Sequence, residues 1–450
     1  MKIIKNLCKT LDCYGAKVLY NGFNNTITEF DSELQKSLED KNSIYFDEYF
    51  TEVLCEYDIE DIRLKSSTRL GHAIICLTDN CNMRCKYCGY HDTRYKENGN
   101  FLKDIDEITL KNALDFVIAR SVDAYETTIS FYGGEPLLRF SLVKFAIEYL
   151  EGKNRLGHKY KYRITTNGTL LEADTIDYLV NRNVKCVISL DGPVFIHDRY
   201  RVYEENTPTY ADCITNLKEL RKRFPNYYEN NITFQAVISP PHDRSIPEDY
   251  FAKSEVLFLD ANIGDYFSKL LKNEHDLDLN GIKTKERNIV HKQMANMDKD
   301  DLMSDIVYVG SLKKYMNVGE KNIRKTVFPP GFCVPLLKRI YIGSNGKIVL
   351  CERVDDSNPL FQLGCVTTGY NFDKIEYLYA YTNSVLAENC NQCWAFRFCR
   401  ACFAKLDKIE FNGDFCRLIR DKVEQELIDF LDFKFNNKRF NEIMQSISVE

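Results

Sequence analysis

Seventeen cysteines in a chain of 450 residues exceed what packing requires, and their spacing is not random. Cys81, Cys85 and Cys88 are separated by three and two residues in the run Cys81-Asn-Met-Arg-Cys85-Lys-Tyr-Cys88. Three thiolates on one short loop can hold a four-iron cluster. Such clusters normally take four thiolates, so a set of three leaves one iron open to chelate a small molecule. The competing chemistry is zinc, but a structural zinc site ordinarily takes four protein ligands. A second array starts at Cys333, continues after twelve residues with Gly346 and, after four more, reaches Cys351. Cys390, Cys393, Cys399 and Cys402 follow at intervals of two, five and two residues, and Cys416 closes the set. Paired Cys-x2-Cys units also read as zinc ribbons, but zinc ribbons do not account for the upstream loop.

These residues need elements to position them. From about 68 to 262 the chain alternates strand and helix patterns. The candidate strands are Ala73–Leu77, Thr127–Tyr132, Lys161–Thr165, Lys185–Leu190, Thr233–Ile238 and Val256–Leu259. Amphipathic helices are expected between them at Thr109–Arg120, Ser141–Glu151 and Tyr210–Arg223. Alternation of this kind implies a parallel sheet, and six units predict an α/β fold with an open, partial (β/α)6 TIM-type barrel. The Cys81–Cys88 loop follows the first strand, on the face where barrel enzymes place their sites. Gly133-Gly134-Glu135-Pro136 follows the second strand, and two glycines let the backbone approach a ligand. Thr165-Thr166-Asn167-Gly168-Thr169 follows the third. Ser189-Leu190-Asp191-Gly192-Pro193 follows the fourth, with His197, Asp198 and Arg201 beyond. Asn167-Gly168 and Asp191-Gly192-Pro193 are also ordinary turn sequences.

The first cysteine loop, with Tyr87 before its last cysteine, resembles the radical S-adenosylmethionine (SAM) superfamily. That resemblance implies that the open iron binds SAM, that one electron cleaves it, and that the resulting 5′-deoxyadenosyl radical takes a hydrogen atom from a substrate. It implies cofactor contacts at Tyr87, Gly133, Gly134, Glu135, Thr166, Asn167, Ser189, Asp191 and Arg201. The second array resembles the SPASM domain of peptide maturases and anaerobic sulfatase maturases, which departs here in having two residues rather than three between Cys399 and Cys402. By that resemblance Cys390, Cys393, Cys399 and Cys416 hold one auxiliary [4Fe-4S] cluster. Cys333, Cys351 and Cys402 hold another, which either keeps an open iron or takes Cys365 as its fourth ligand. Three [4Fe-4S] clusters are therefore expected.

The domain order expected is an N-terminal region over 1–67, the barrel over 68–262, a helical connector over 263–330 and the SPASM domain over 331–450. The N-terminal region carries a hairpin (Lys17–Tyr20 and Thr26–Thr28) and short helices around Ser32–Leu38 and Tyr45–Leu54. It fits loosely the recognition element that pairs an edge strand with a leader peptide; a structural cap is the alternative. A closing amphipathic helix is expected at Arg417–Leu431. Cys8 and Cys13 could pair, but a packing or surface role is expected of them, and Cys76 and Cys186 lie within strands as small hydrophobes.

A net charge of −6 argues against a wholesale nucleic-acid binder. No apolar run reaches the length of a membrane span and no signal-peptide core is present, so a cytoplasmic location is expected, where clustered cysteines read as metal ligands. The function expected is maturation of a ribosomal precursor peptide bearing a leader, with a crosslink formed (a thioether, or a carbon–carbon bond). A flavodoxin- or ferredoxin-type protein would donate the electrons. The alternatives are an anaerobic sulfatase maturase making formylglycine and, from another class, a non-catalytic iron–sulfur electron carrier or redox scaffold.

Overall fold

The computed structural model describes residues 8–13, 16–22, 24–39, 58–88, 103–154, 157–237, 246–247, 250–251, 261–262, 312–321, 329–337, 339–390, 393–410, 412–436 and 440–441. Its contacts divide the chain into two units, one of 1–58, 285–333 and 376–450, the other of 59–284 and 334–375.

The first unit opens with an antiparallel sheet of β1 (Cys8–Cys13), β2 (Ala16–Asn21) and β3 (Thr26–Glu29), in that order, followed by helix α1 (Ser32–Glu39). The expected hairpin is β2–β3, with Val18 opposite Glu29 and Asn21 opposite Thr26. Cys8 and Cys13 do not pair: both are free, and Cys13 is buried, in keeping with the packing role expected over a disulfide. They stand at opposite ends of one extended strand, roughly 17 Å apart at strand rise, well beyond disulfide reach. The expected helix at Tyr45–Leu54 lies outside the described residues, as does most of the connector.

The second unit begins with α2 (Ile59–Thr68) and then alternates. Its elements are β4 (His72–Thr78), α3 (Glu107–Arg120), β5 (Thr127–Gly133), α4 (Phe140–Lys153), β6 (Tyr160–Thr166), α5 (Ala173–Asn181), β7 (Lys185–Ser189), α6 (Val194–Tyr200), α7 (Tyr210–Arg223), α8 (Pro225–Asn231), β8 (Ile232–Gln235) and β9 (Ala261–Asn262). Strands β4 to β9 are parallel and lie side by side in chain order. This is the arrangement that strand–helix alternation dictates. The sixth strand falls at Ala261–Asn262; the expected Val256–Leu259 lies outside the described residues. Helix starts follow local chemistry. Asp106 caps α3 by accepting from the Thr109 amide at 2.8 Å.

The sheet does not stop at β4. β10 (Ile340–Ile342) pairs parallel with β4, with Ile340 beside Ala73 and Ile342 beside Ile75. β11 (Lys347–Val349), β12 (Gln362–Cys365) and β13 (Gly369–Tyr370) then extend the edge in antiparallel fashion. Ten strands result, and the region from Gly331 onward is shared between the two units. Helix α9 (Phe372–Asn389) follows, and α10 (Asp414–Asn436) covers the expected Arg417–Leu431 helix with additional turns at both ends.

In the first unit one apolar core joins the N-terminal sheet to the second cysteine array. Leu11, Tyr20, Tyr315, Trp394, Phe398 and Phe430 belong to it. Trp394 follows Cys393 directly, so the sheet packs on the loop that carries the thiols. Arg397 donates from Nε to the Gly22 carbonyl at 2.5 Å. A Cβ on Gly22 would stand 2.1 Å from the Trp394 carbonyl oxygen. Gly22→Ala is therefore expected to lower stability by about 1–3 kcal/mol, read as an earlier urea midpoint; an unchanged midpoint contradicts the close approach.

Candidate functional site

Four loops at the C-terminal ends of β4 to β7 meet around Cys81, Cys85 and Cys88, and hydrogen bonds lace them together. On one side, Asn167 donates from Nδ2 to Asn82 Oδ1 at 2.8 Å, and Asn82 Nδ2 donates to Thr169 Oγ1 at 2.9 Å. Asn82 lies between the first two cysteines, so the loop after β6 holds the cysteine loop directly. On the other side, the Arg84 amide donates to the Val202 carbonyl at 2.7 Å and the Lys86 amide to the Tyr200 carbonyl at 2.9 Å. Cys85 is thereby clamped between two backbone bonds to the segment after α6.

A buried polar cluster backs this clamp. Asp191 and Arg201 pair at 3.0 Å. The Tyr87 hydroxyl donates to the same Asp191 oxygen, and the Arg201 guanidinium lies 5.3 Å from the Tyr87 ring centre. The other Asp191 oxygen accepts from the Val237 amide at 2.9 Å. His197 faces the Asp191 amide through Nδ1 at 3.4 Å and Thr209 Oγ1 through Nε2 at 3.1 Å. Burial works against the charge on Arg201, yet Asp191 holds its pKa above the ordinary value.

Glu135 is wholly buried and ties two strand ends. Its Oε1 accepts from Thr166 Oγ1 at 2.8 Å and the Leu137 amide at 3.0 Å; its Oε2 accepts from the Asn167 amide at 2.8 Å. Burial pushes this carboxyl up to about 7, against the pull of those donors. The preceding glycines allow the close approach. A Cβ on Gly134 would meet the Asn80 carbonyl oxygen at 2.1 Å, and Gly133 adopts φ 130°. The Gly134 and Glu135 amides donate to Thr78 and Asn80 carbonyls, both at 2.8 Å. Asp104 completes the support, accepting from Thr78 Oγ1 at 2.5 Å and pairing with Arg139.

The thiols themselves are mostly buried. Desolvation pushes Cys81 and Cys85 up to about 12; the nearby Glu135 adds to the rise at Cys81, and Arg201 opposes it at Cys85. The Met83 amide faces the Cys81 sulfur at 3.4 Å, a donor that favours the thiolate. Iron coordination deprotonates such thiols outright. Three coupled thiols on one braced loop fit a four-iron cluster with an open iron.

In the first unit Cys390, Cys393, Cys399 and Cys416 are brought together. Burial raises the Cys390 pKa, and the charges of the other three raise it further. The Ala401 amide faces the Cys399 sulfur at 3.4 Å, repeating the bond made at Cys81. Arg420, one helical turn past Cys416 on α10, hydrogen-bonds the Cys393 thiol and favours its ionisation, opposing the effect of burial. Among the described residues no three His, Cys, Asp or Glu side chains are close enough to hold one metal ion. Cys333 and Cys402 lie in this unit, and Cys351 and Cys365 in the barrel unit.

The structure thus gathers Tyr87, Gly133, Gly134, Glu135, Thr166, Asn167, Asp191 and Arg201 at one end of the sheet, with Ser189 closing β7. Sequence reasoning missed Asn82, Asp104 and Arg420. A polar residue between two cysteines was the available signal for Asn82.

Residues 75–245 match the family described as the Radical SAM superfamily. Over 187 residues the chain is 30% identical to a cysteine-type anaerobic sulfatase-maturating enzyme of Clostridium novyi, covering 40% of this chain and 48% of that one. Over 185 residues it is 26% identical to the radical SAM cyclopropyl synthase TigE of Paramaledivibacter caminithermalis, covering 39% and 37%. The chain thus spans about half the length of the first of these relatives, and less of the second. A solved structure of native anSMEcpe with bound AdoMet and Cp18Cys peptide shares the fold, with a TM-score of 0.59 at 19% identity over 84% of this chain and 100% of that one.

His197 gives the site a pH dependence. Burial, reinforced by Arg201, holds its pKa at about 3, below the usual 6.5. The unfolded chain therefore takes up this proton first as pH falls. Its contribution to stability is present above about pH 6.5 and is lost toward pH 3. Urea midpoints of the apoprotein should decline across that window, and His197→Gln should flatten the decline. An equally steep profile in the variant contradicts the assignment. A further expectation concerns Glu135→Gln, which turns an amide donor toward the Leu137, Thr166 or Asn167 donors. It should cost about 1–3 kcal/mol, measured by urea unfolding.

Proposed function

We propose that the chain, whose residues 75–245 match the Radical SAM superfamily, uses SAM and a four-iron cluster and is a peptide maturase. The cluster on Cys81, Cys85 and Cys88 would supply an electron that cleaves SAM, giving a radical able to remove a hydrogen atom from the substrate. The observation that carries this reading is the braced three-thiol loop, with a second thiol set on the same chain. The chain's own residues do the positioning. Asn82, Asn167 and Thr169 hold one flank of the loop, and the Tyr87–Asp191–Arg201 cluster holds the other. Gly133 and Gly134 let their strand end pack against the start of the cysteine loop, and Ser189 and Arg201 are the candidates to meet SAM's carboxylate or ribose.

The substrate would be a ribosomal precursor peptide, and the product a crosslink, with a thioether favoured. In that step the peptide loses one hydrogen atom to the SAM-derived radical, one proton to solvent and one electron to an auxiliary cluster. Cys390, Cys393, Cys399 and Cys416 would hold one such cluster. Cys333, Cys351 and Cys402 would hold the other, which would keep an open iron for a substrate thiolate or take Cys365. A reduced flavodoxin or ferredoxin would supply electrons. Strand β3 forms one edge of the N-terminal sheet, and its Thr28 and Glu29 are exposed; it could take a leader peptide by strand addition.

A second reading is formylglycine formation on a sulfatase. Similarity to a named sulfatase maturase favours it. Mass spectrometry of treated Cys-bearing peptides separates the two: a crosslink removes two hydrogens and keeps the sulfur, whereas formylglycine removes two hydrogens and also exchanges the sulfur, released as hydrogen sulfide, for an oxygen from water.

Anaerobically reconstituted protein should carry about twelve irons, three clusters of four. Changing Cys81, Cys85 and Cys88 together to Ala should leave about eight and abolish 5′-deoxyadenosine formation from SAM and dithionite. About four irons in the wild type, with zinc bound, would contradict the auxiliary clusters.

A further inference from the structure

One face of the barrel sheet places Arg163 beside Lys185, and among the described residues no acid pairs with either. Cys186 and Ile188 of β7 face the helices. The Cys186 sulfur lies 3.5 Å from the Tyr227 hydroxyl of α8, and Ile188 crowds Gly168 together with Cys213 of α7. Side chains alternate along a strand, so Lys185 and Val187 face the other way. The register carries that second face across the sheet. Ile74 stands beside Ser130, Ser130 beside Arg163, and Arg163 beside Lys185.

Arg163 is half-buried. Desolvation lowers its pKa, and among the described residues no acid opposes that shift. Its neighbour in register, Lys185, is a second cation. His72 approaches from β4, with Nε2 at 2.7 Å from Ser130 Oγ. Both Arg163 and Arg339 act electrostatically on His72. Arg339 and Arg353 share one carboxylate, Glu352, at 3.2 and 3.7 Å. Like charges side by side on neighbouring strands destabilise a sheet, and a desolvated cation without a partner is costly. Barrel interiors are ordinarily filled by branched apolar side chains, so packing does not explain these residues. An arginine held this way matches a planar carboxylate, which it can grip with two parallel bonds.

We propose that Arg163, with Lys185 beside it and the His72–Ser130 pair behind it, binds a carboxylate of the peptide substrate. The inference rests on the peptide-maturase reading and specifies what that peptide carries. Arg163 lies three residues before the end of β6 at Thr166, roughly 10 Å of strand from the cysteine-loop end. An extended peptide covers that distance in about three residues. The carboxylate therefore sits about three residues from the residue that reacts. It is either an internal Asp or Glu side chain or the peptide's own C-terminus.

Fluorescence anisotropy of the iron-loaded full chain with SAM, at low salt, tests this with three labelled peptides of equal length. Each carries one Cys. The first has Glu about three residues from it and an amidated C-terminus. The second has Gln in place of Glu. The third has Gln and a free C-terminal carboxylate at that distance. The first or the third should bind roughly tenfold tighter than the second, and which one does so names the source of the carboxylate. Arg163→Gln should erase the difference, and Arg163→Lys should keep part of it. Arg163→Gln relieves repulsion, so its thermal midpoint should not fall; Lys185→Gln repeats the test should it do so. Equal binding of all three peptides overturns the carboxylate site and leaves the peptide reading standing. Binding of none overturns both.

Discussion

Asp191 and Arg201 meet almost without water, with exposures of 0% and 7%. Burying two charges is costly unless the remaining lone pairs and protons are used. On the carboxylate side they are: the Tyr87 hydroxyl and the Val237 amide both donate to Asp191. The pair also spans the segment whose carbonyls clamp Arg84 and Lys86. The position of Cys85 therefore depends on an ion pair that could not form unless β7, α6 and the cysteine loop were already packed. Removing one partner leaves a buried, unpaired charge, a loss of about 3–5 kcal/mol in comparable cases.

The two cysteine arrays follow one local plan on different scaffolds. In each, a backbone amide two residues on faces a thiol sulfur, and an arginine lies close to a cysteine. Arg201 beside Cys85 and Arg420 beside Cys393 oppose the raising of the thiol pKa by burial. Hydrogen bonds and charge around cluster sulfurs set reduction potentials. The scaffolds differ in how they resist strain. The first loop is held by side chains from neighbouring strand ends, the second by a core of aromatic side chains shared with the N-terminal sheet.

The barrel strands were legible in the sequence because each is an apolar run followed by a turn signal. The positions of Cys81, Gly133 and Asn167 after successive strands followed from that alone. The C-terminal strands were not legible. Ile340–Ile342 and Lys347–Val349 hold three residues each, and Gly369–Tyr370 two, too few to show a period. Their extension of the sheet beside β4 depends on long-range pairing. The ties within the site were hidden for the same reason: Tyr87 and Asp191 are 104 residues apart. Glu135 is legible as a conspicuous acid after two glycines, but that its carboxylate accepts from Thr166, Leu137 and Asn167 is not. The pattern marked where the chemistry lies but not which polar groups brace it.

The central claim is that the Tyr87–Asp191–Arg201 cluster holds the three-thiol loop in the geometry that lets its open iron take SAM. The most direct measurement is the electron paramagnetic resonance of the dithionite-reduced cluster on adding SAM, in wild type and in Asp191→Asn. The account predicts that SAM shifts the wild-type signal, and that Asp191→Asn still loads iron but shows a weakened or absent SAM-induced shift. An identical shift at the same SAM concentration in the variant would contradict it.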